Sequence, residues 1–473
     1  MRRLAGMKTF TVAACAAGAL LTAAPAHAQR PDQTAFRALY QELVEIDSSA
    51  ATGSCTRAVN AMATRLRAAG FGEGDVRVIV PEGAPEDGNM VAVLRGSNRR
   101  APAVLLLAHI DVVNARREDW ERDPFTLVEE NGFFYGRGTA DDKAMAAVFT
   151  ALMVRLRREN FRPRRDIKLA LTCGEETSNR VNGVDYLLKN HRDLMQAGFA
   201  INEGAGGTLS ADGKPVALEV QAGEKIHQVM ALEVTNPGGH SSRPRPDNAI
   251  TQLSAGLGRL ATHRFPVELT AVTRTFFERM APIVGGDMGA AMTALSANPA
   301  DEAAASRVAQ DPSFNAVMRT TCVVTQVEGG HAPNALPQSA KATLSCRVLQ
   351  GHTAEEVQAE LQRAVADPAI KVEIVRRREG SVAPQLTRQI MAPVERAAAR
   401  MWPGVPIIPT MTPGATDGRF LNTAGIPTYG MSGMFSVPGE VNAHGLNEKI
   451  RVRSLYEGRD FLDSIVREYA RAR

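Results

Sequence analysis

Five consecutive apolar residues, Val104-Leu105-Leu106-Leu107-Ala108, constrain this chain more than any other segment. A strand-length run without polar alternation suits a strand covered on both faces, as in a parallel sheet flanked by helices. His109 follows at its carboxyl end. Ile167 to Thr172 reads as the next buried strand and runs into Cys173-Gly174-Glu175-Glu176, and Phe199-Ala200-Ile201-Asn202, a third, runs into Glu203. Between the first two runs, Met145, Val148, Phe149, Leu152, Met153 and Leu156 recur at helical spacing, predicting a helix from about Asp142 to Arg158. Strands alternating with helices predict an α/β layer with a mostly parallel sheet, in which ligands collect beyond the carboxyl ends of the strands.

At 473 residues the chain exceeds what one hydrophobic core serves, so two domains are expected. The rhythm changes near Gly223. Val229 to Val234 alternates like a half-exposed strand, and a helix follows near Asn248 to Leu260. An alanine-rich helical stretch (266–309) precedes strands near Thr321 to Val327 and Ala342 to Val348, a helix (Ala354 to Val365) and a strand (Lys371 to Val375). This β-α-β-β-α-β order predicts an inserted ferredoxin-like α+β domain. The predicted boundaries are a leader over 1–28, an α/β domain in two parts over 29–222 and 383–473, and the inserted domain over 223–382.

The leader is read from Arg2, Arg3 and Lys8, an apolar stretch from Phe10 to Ala23, and an A-x-A cleavage site at Ala26-His27-Ala28. That apolar stretch is shorter than the roughly 20 residues of a spanning helix, so a secreted, periplasmic protein without a stable membrane anchor is expected. The leader carries three positive charges and no acidic group, so its removal takes the formal charge from +4 to about +1. A surface so nearly neutral argues against nucleic acid as a partner. Export permits disulfides between the four remaining cysteines. Cys322 and Cys346 lie in β-like runs, which allows a cross-strand bridge, although four buried thiols are the commoner arrangement.

Polar residues stand where buried strand ends have no need of them for stability: His109-x-Asp111, Asp141-Asp142-Lys143, Glu175-Glu176, Glu203 and, far downstream, His444. Imidazole nitrogens and carboxylate oxygens are zinc ligands. Asp111, two residues after His109 in extended chain, points the same way and can fix the tautomer of His109. Asp141 follows a Gly136-Arg137-Gly138-Thr139-Ala140 turn and can bridge two metals. Three carboxylates (Asp141, Glu176, Glu203) with one hydroxide balance two Zn²⁺ ions, whereas a lone zinc would be over-neutralised. Glu175 is then left over as general base on the attacking water. Cobalt or manganese suits the same donors. Each signal alone has an ordinary structural explanation, such as a surface His-Asp pair, a solvated Glu-Glu turn or a capping histidine; their joint occurrence in this order does not.

These motifs resemble the co-catalytic zinc hydrolases that include aminoacylases, carnosinase-like dipeptidases, glutamate carboxypeptidases and succinyl-diaminopimelate desuccinylase. The resemblance covers nearly the whole chain beyond the leader and is carried by Leu107-Ala108-His109-Ile110-Asp111, Tyr135-Gly136-Arg137-Gly138-Thr139-Ala140-Asp141-Asp142-Lys143 and Gly174-Glu175-Glu176. Trp120, Asp123-Pro124-Phe125 and Phe133-Phe134-Tyr135 bring it nearest to the carboxypeptidase S-like and N-acyl-amino-acid hydrolase members. It implies a zinc-exopeptidase-like catalytic domain interrupted by a lid and dimerisation domain, and cleavage of peptides or N-acyl amino acids next to a free carboxylate. It also implies one metal on His109 and Glu203, the other on Glu176 and His444, Asp141 bridging, and a cis Asp141–Asp142 peptide. In Gly238-Gly239-His240-Ser241-Ser242, His240 matches a histidine that stabilises the oxyanion in a dimeric partner's site. Asn334, Arg347, Gly414, Thr416 and Arg419 match substrate-binding positions, with Arg347 suited to hold a carboxylate bidentately. Ala108 and Ala144 replace glycines usual in the family, and the alanine-rich stretch is atypical of it. From another class, a non-catalytic periplasmic protein that binds peptides or amino-acid derivatives would share the fold; the complete ligand set argues against it.

Overall fold

A computed structural model describes residues 31–472 apart from positions 178, 379 and 381, so the leader read over 1–28 lies outside the described residues. Four consecutive strands at the centre of the large sheet, Ile167–Thr172, Val104–His109, Phe199–Asn202 and Thr428–Gly430, run parallel. Antiparallel strands Asn89–Leu94 and Val76–Ile79 extend one side. On the other, Pro215–Glu224 joins Thr428–Gly430 antiparallel and takes Ile407–Thr412 as a parallel partner.

The apolar run that opens the sequence sits in the middle of this sheet for a plain reason. Val104, Leu106 and Ala108 face one core, with the helices Pro31–Glu45, Cys55–Ala68, Lys143–Arg158 and Val452–Arg471. Leu105 and Leu107 face another, with Val184, Leu187, Met195 and Leu421 on the opposite side. Both parities are buried, so alternation disappears. Asp142 stands at the N-cap of the helix predicted from that position, which spans Lys143–Arg158.

Residues 226–376 contribute a separate four-stranded antiparallel sheet in the order Thr321–Gly329, Ser339–Val348, Ile226–Thr235, Lys371–Arg376. The helices Ala249–Thr262 and Ala354–Val365 cover one face with a core of its own that includes Met230, Leu232, Leu253, Leu344 and Leu361. The other face, with His227, Val229, Ser345 and Arg347, is only half-buried. The alanine-rich stretch forms helices Ala271–Val284, Gly286–Ala297 and Glu302–Val308, which pack with Ala217, Ile408 and Met411 of the large sheet. Its small side chains let several short helices stack there rather than extend the four-stranded sheet.

Cys55 pairs with Cys173, and Cys322 with Cys346. The second pair joins directly opposed residues of neighbouring strands. The first was not anticipated, because only the fold brings the start of the helix Cys55–Ala68 to the end of the strand Ile167–Thr172. The bridged cysteines are 118 and 24 residues apart. If cross-linking acts by restricting the unfolded chain, replacing Cys55 and Cys173 by Ala costs about 5 kcal/mol and replacing Cys322 and Cys346 about 3.5 kcal/mol. Urea unfolding of the two double variants checks this order.

Candidate metal centre

Because the central strands are parallel, His109, Glu175-Glu176 and Glu203 leave the sheet on the same side. Asp111 ties the first two segments together. Its carboxylate accepts from the backbone N–H groups of Glu175 (3.3 Å) and Glu176 (3.0 Å). His109 Nδ1 lies 3.0 Å from the Asp111 carbonyl and 3.6 Å from its Oδ1. That leaves Nε2 facing outward, 3.1 Å from Asp141 Oδ1 and 3.7 Å from Glu203 Oε1. Gly174, at φ 84°, makes the turn into the Glu-Glu pair; a Cβ there would lie 2.4 Å from the Val181 carbonyl oxygen.

Asp141 occupies the turn before the helix Lys143–Arg158, and the Asp141–Asp142 peptide is cis. Its second oxygen, Oδ2, lies 3.0 Å from His444 Nε2, which is 2.9 Å from Glu176 Oε2. The two oxygens of one carboxylate thus face two different imidazoles, the arrangement a bridging ligand needs.

What holds that turn is Glu448, whose role the sequence reading missed. Its fully buried carboxylate accepts from Arg137 Nη1 (2.8 Å) and the backbone N–H groups of Gly138 (3.0 Å), Ala140 (2.8 Å) and Asp141 (3.1 Å). Arg137 also donates to the Gly445 carbonyl (2.9 Å) and lies over the Trp120 ring. One ion pair therefore joins the Asp141 turn to the loop carrying His444. The signal available in sequence was an arginine between two glycines, with a glutamate four residues after His444; neither reveals its partner without the fold.

The site pairs buried carboxylates with imidazoles. Burial pushes Glu203 well above the usual carboxylate range. Burial alone would lower His109, but the charge of Glu203 and hydrogen bonds to Asp111 and Asp141 outweigh it and hold the imidazole well above its ordinary value. Hydrogen bonds to Asp141 and then Glu176 push His444 up to about 10. Among the described residues no lysine or arginine is ion-paired with Asp141, Glu176 or Glu203; they face the two imidazoles instead. The donors divide into two sets sharing Asp141: His109, Asp141 and Glu203, and Asp141, Glu176 and His444, with ligand atoms in each set within 4.8 Å of one another. Mixed imidazole and carboxylate donors fit two divalent cations.

Glu175 makes no side-chain hydrogen bond among the described residues and lines a cavity bounded also by Arg376, Arg378 and Arg419; burial pushes its carboxyl up to about 8. Arg347 sits opposite His227 at the same end of the four-stranded sheet. Thr416 is committed to the protein: its N–H donates to Glu224 Oε2 (2.6 Å), and its hydroxyl accepts from Asn202 (3.1 Å) and Gly418 (3.0 Å). Gly414 donates its N–H to the Thr412 hydroxyl.

His240 and Asn334 lie beyond Thr235, at the other end of the strand from His227, in the paired segments that join Gly239–His240 to Ala335–Leu336. Ten extended residues separate the two ends by about 30 Å. These two residues therefore lie at the opposite end of that strand from His227 and Arg347.

Residues 105–468 match the profile of a family described as Peptidase family M20/M25/M40. The human N-fatty-acyl-amino acid synthase/hydrolase PM20D1 is 30% identical over 383 residues, covering 78% of this chain and 74% of that protein. The probable carboxypeptidase S-like 2 of Dictyostelium discoideum is 26% identical over 385 residues, covering 79% and 73%. Among solved structures, the M20 family metallo-carboxypeptidase Sso-CP2 from Sulfolobus solfataricus shares the fold with a TM-score of 0.66 at 21% identity, over 92% of this chain and 99% of that one. The Bacillus subtilis YXEP protein, described as a dinuclear metal binding peptidase from the M20 family, superposes with a TM-score of 0.57 at 12% identity, over 92% and 97%.

Replacing Glu448 with Gln leaves one oxygen to serve donors that now share two, and cancels the charge facing Arg137. Metal affinity is expected to fall 10- to 100-fold although no ligand changes. Calorimetric titration with Zn²⁺ measures it, and unchanged affinity counts against this positioning role.

Proposed function

The chain belongs to peptidase family M20/M25/M40, and on that premise we propose that it cleaves the amide bond of peptides or N-acyl amino acids next to a free carboxylate, with Glu175 as general base. The peptidase and aminoacylase-type hydrolase class follows from the family and from relatives such as aminoacylase-1 of Mus musculus, 24% identical over 381 residues. The observation that carries the finer reading is the Asp141 carboxylate set between two imidazoles, 3.1 Å from one and 3.0 Å from the other.

In this reading His109 and Glu203 hold one divalent ion, Glu176 and His444 the other, and Asp141 both; zinc is the expected metal, with cobalt and manganese suited to the same donors. When bound, two such ions lower the pKa of the attacking water and polarise the scissile carbonyl. Asp111 orients the His109 ring and, by taking the N–H groups of Glu175 and Glu176, sets the direction in which Glu175 leaves the backbone. Glu175 takes the water's proton and hands it to the departing amine. Arg347 and Arg419 hold the substrate carboxylate, with the Gly414 and Thr416 segment as the wall behind them.

His240 and Asn334 serve the site of a second copy. Supporting this is their position about 30 Å along the strand from Arg347, together with an edge strand, Thr321–Gly329, that exposes Val323 and Val327. Such a strand is a ready surface for a homodimer. The leader-like segment and two disulfides support an exported, periplasmic enzyme.

Glu175→Ala is expected to reduce hydrolysis of a dipeptide and N-acyl-amino-acid panel at least a thousandfold with two metal equivalents still bound, whereas His444→Ala lowers the metal content itself. Elemental analysis alongside the rate assay separates the two; an active Glu175→Ala protein removes the general-base assignment. Chelation should abolish the parent activity, and zinc, cobalt or manganese should restore it.

A further inference from the structure

Next to Glu175 and Glu176 lies a cavity of about 710 Å³ whose walls carry an excess of positive charge. Four of its cations are already engaged. Arg180 donates to the carbonyls of Ser48, Ser49 and Gly53, Lys189 pairs with Asp185, Arg192 donates to the Ala424 carbonyl, and Arg377 pairs with Glu355. Arg376, Arg378 and Arg419 are different: among the described residues, no carboxylate lies within ion-pair distance of them and their guanidinium groups make no hydrogen bond. Arg419 only lies over the Phe420 ring.

Their placement is built into the fold. Arg376 stands opposite Val229 at the end of the strand Lys371–Arg376. Two residues on, Arg378 is pinned by the buried side chain of Gln228, which donates to the Arg378 carbonyl (2.7 Å) and accepts its N–H (2.9 Å). Both arginines line the cavity beside Glu175, and their charges, like that of Arg347, reach His227 on the half-buried face of the four-stranded sheet. Burial, then Arg347, Arg378, Arg376 and Arg419, push His227 down to about 4, so at neutral pH it adds no charge and bonds to the Ser345 hydroxyl (3.0 Å).

One substrate carboxylate held by Arg347 and Arg419 would leave Arg376 and Arg378 without an ion-pair partner among the described residues. We propose that Arg376 and Arg378 form a second anion subsite beside the Arg347 and Arg419 pair, and that the preferred substrates are N-acyl or peptidyl derivatives of amino acids with an acidic side chain. This rests on the hydrolase reading above. Glu175 faces the same cavity, so the amine it protonates and the side chain beside that amine lie on the arginine side. Guanidinium pairs hold a carboxylate bidentately.

The test compares kcat/KM for N-acetyl-glutamate and N-acetyl-glutamine, which differ in charge but hardly in shape, using the zinc-loaded full protein. A preference of at least tenfold for the acid is expected, falling below threefold in the Arg376→Gln/Arg378→Gln variant and largely kept in Arg378→Lys. Calorimetric binding of glutarate against butyrate reads the subsite without turnover and should show the same loss in the double variant. Equal kcat/KM for the two amides, equal binding of the two acids, or a preference untouched by the double substitution overturns the proposal. Selective glutarate binding, lost in the double variant, from a protein that hydrolyses nothing in the panel overturns the hydrolase reading and leaves the anion subsite standing.

Discussion

A carboxylate sealed from water and surrounded by four donors is the constraint on which the candidate metal centre depends. Glu448 would be costly to bury alone, and burial does raise its pKa. The Arg137 guanidinium and three backbone N–H groups offset that cost only if the Gly136–Asp141 segment curls around it. Gly138 can follow that curl at φ 82°, where a Cβ would lie 2.7 Å from Val112. The consequence is positional: Asp141 is delivered to the gap between His109 and His444, and the loop bearing His444 is held by the same arginine. Breaking a buried pair of this kind by removing one partner costs more than the pair itself contributes.

The sheet supplies the rest of the convergence. Parallel neighbours discharge their chain ends on one side, so residues 109, 175–176 and 203 meet without any long loop. Asp111 converts that meeting into fixed geometry by bonding backbone rather than side chains, which leaves the glutamate carboxylates free to face ligands. The donors arrive from five segments: three follow strands set by buried apolar packing, and the Asp141 turn and the His444 loop are held by the Glu448–Arg137 pair.

The four-stranded sheet divides its polar residues between its two ends. Arg347, His227, Arg376 and Arg378 gather near the metal groups, and His240 with Asn334 near the far hairpin. A single strand of ten residues sets that separation. Charge is concentrated at the near end, where the cavity beside Glu175 is walled by arginines on one side and carboxylates on the other. In a partly enclosed space such fields are screened less than at an open surface, so they bear on which substrates enter.

Apolar patterning by itself determines much of this protein. The uninterrupted run at 104–108 and the largely apolar stretches at 167–172 and 199–202 dictated buried parallel strands because both faces need cover, and the chemistry-bearing residues at their ends pointed to the candidate metal groups. The β-α-β-β-α-β order was legible for the same reason. Tertiary structure alone decided what depends on distant residues meeting: the Glu448 cage around the Asp141 turn, the Cys55–Cys173 bridge, the packing of the alanine-rich helices on the large sheet, and the arginine wall. Sequence periodicity reports which side of an element is buried, whereas an ion pair between residues 311 apart exists only once packing has brought its two ends to the same place.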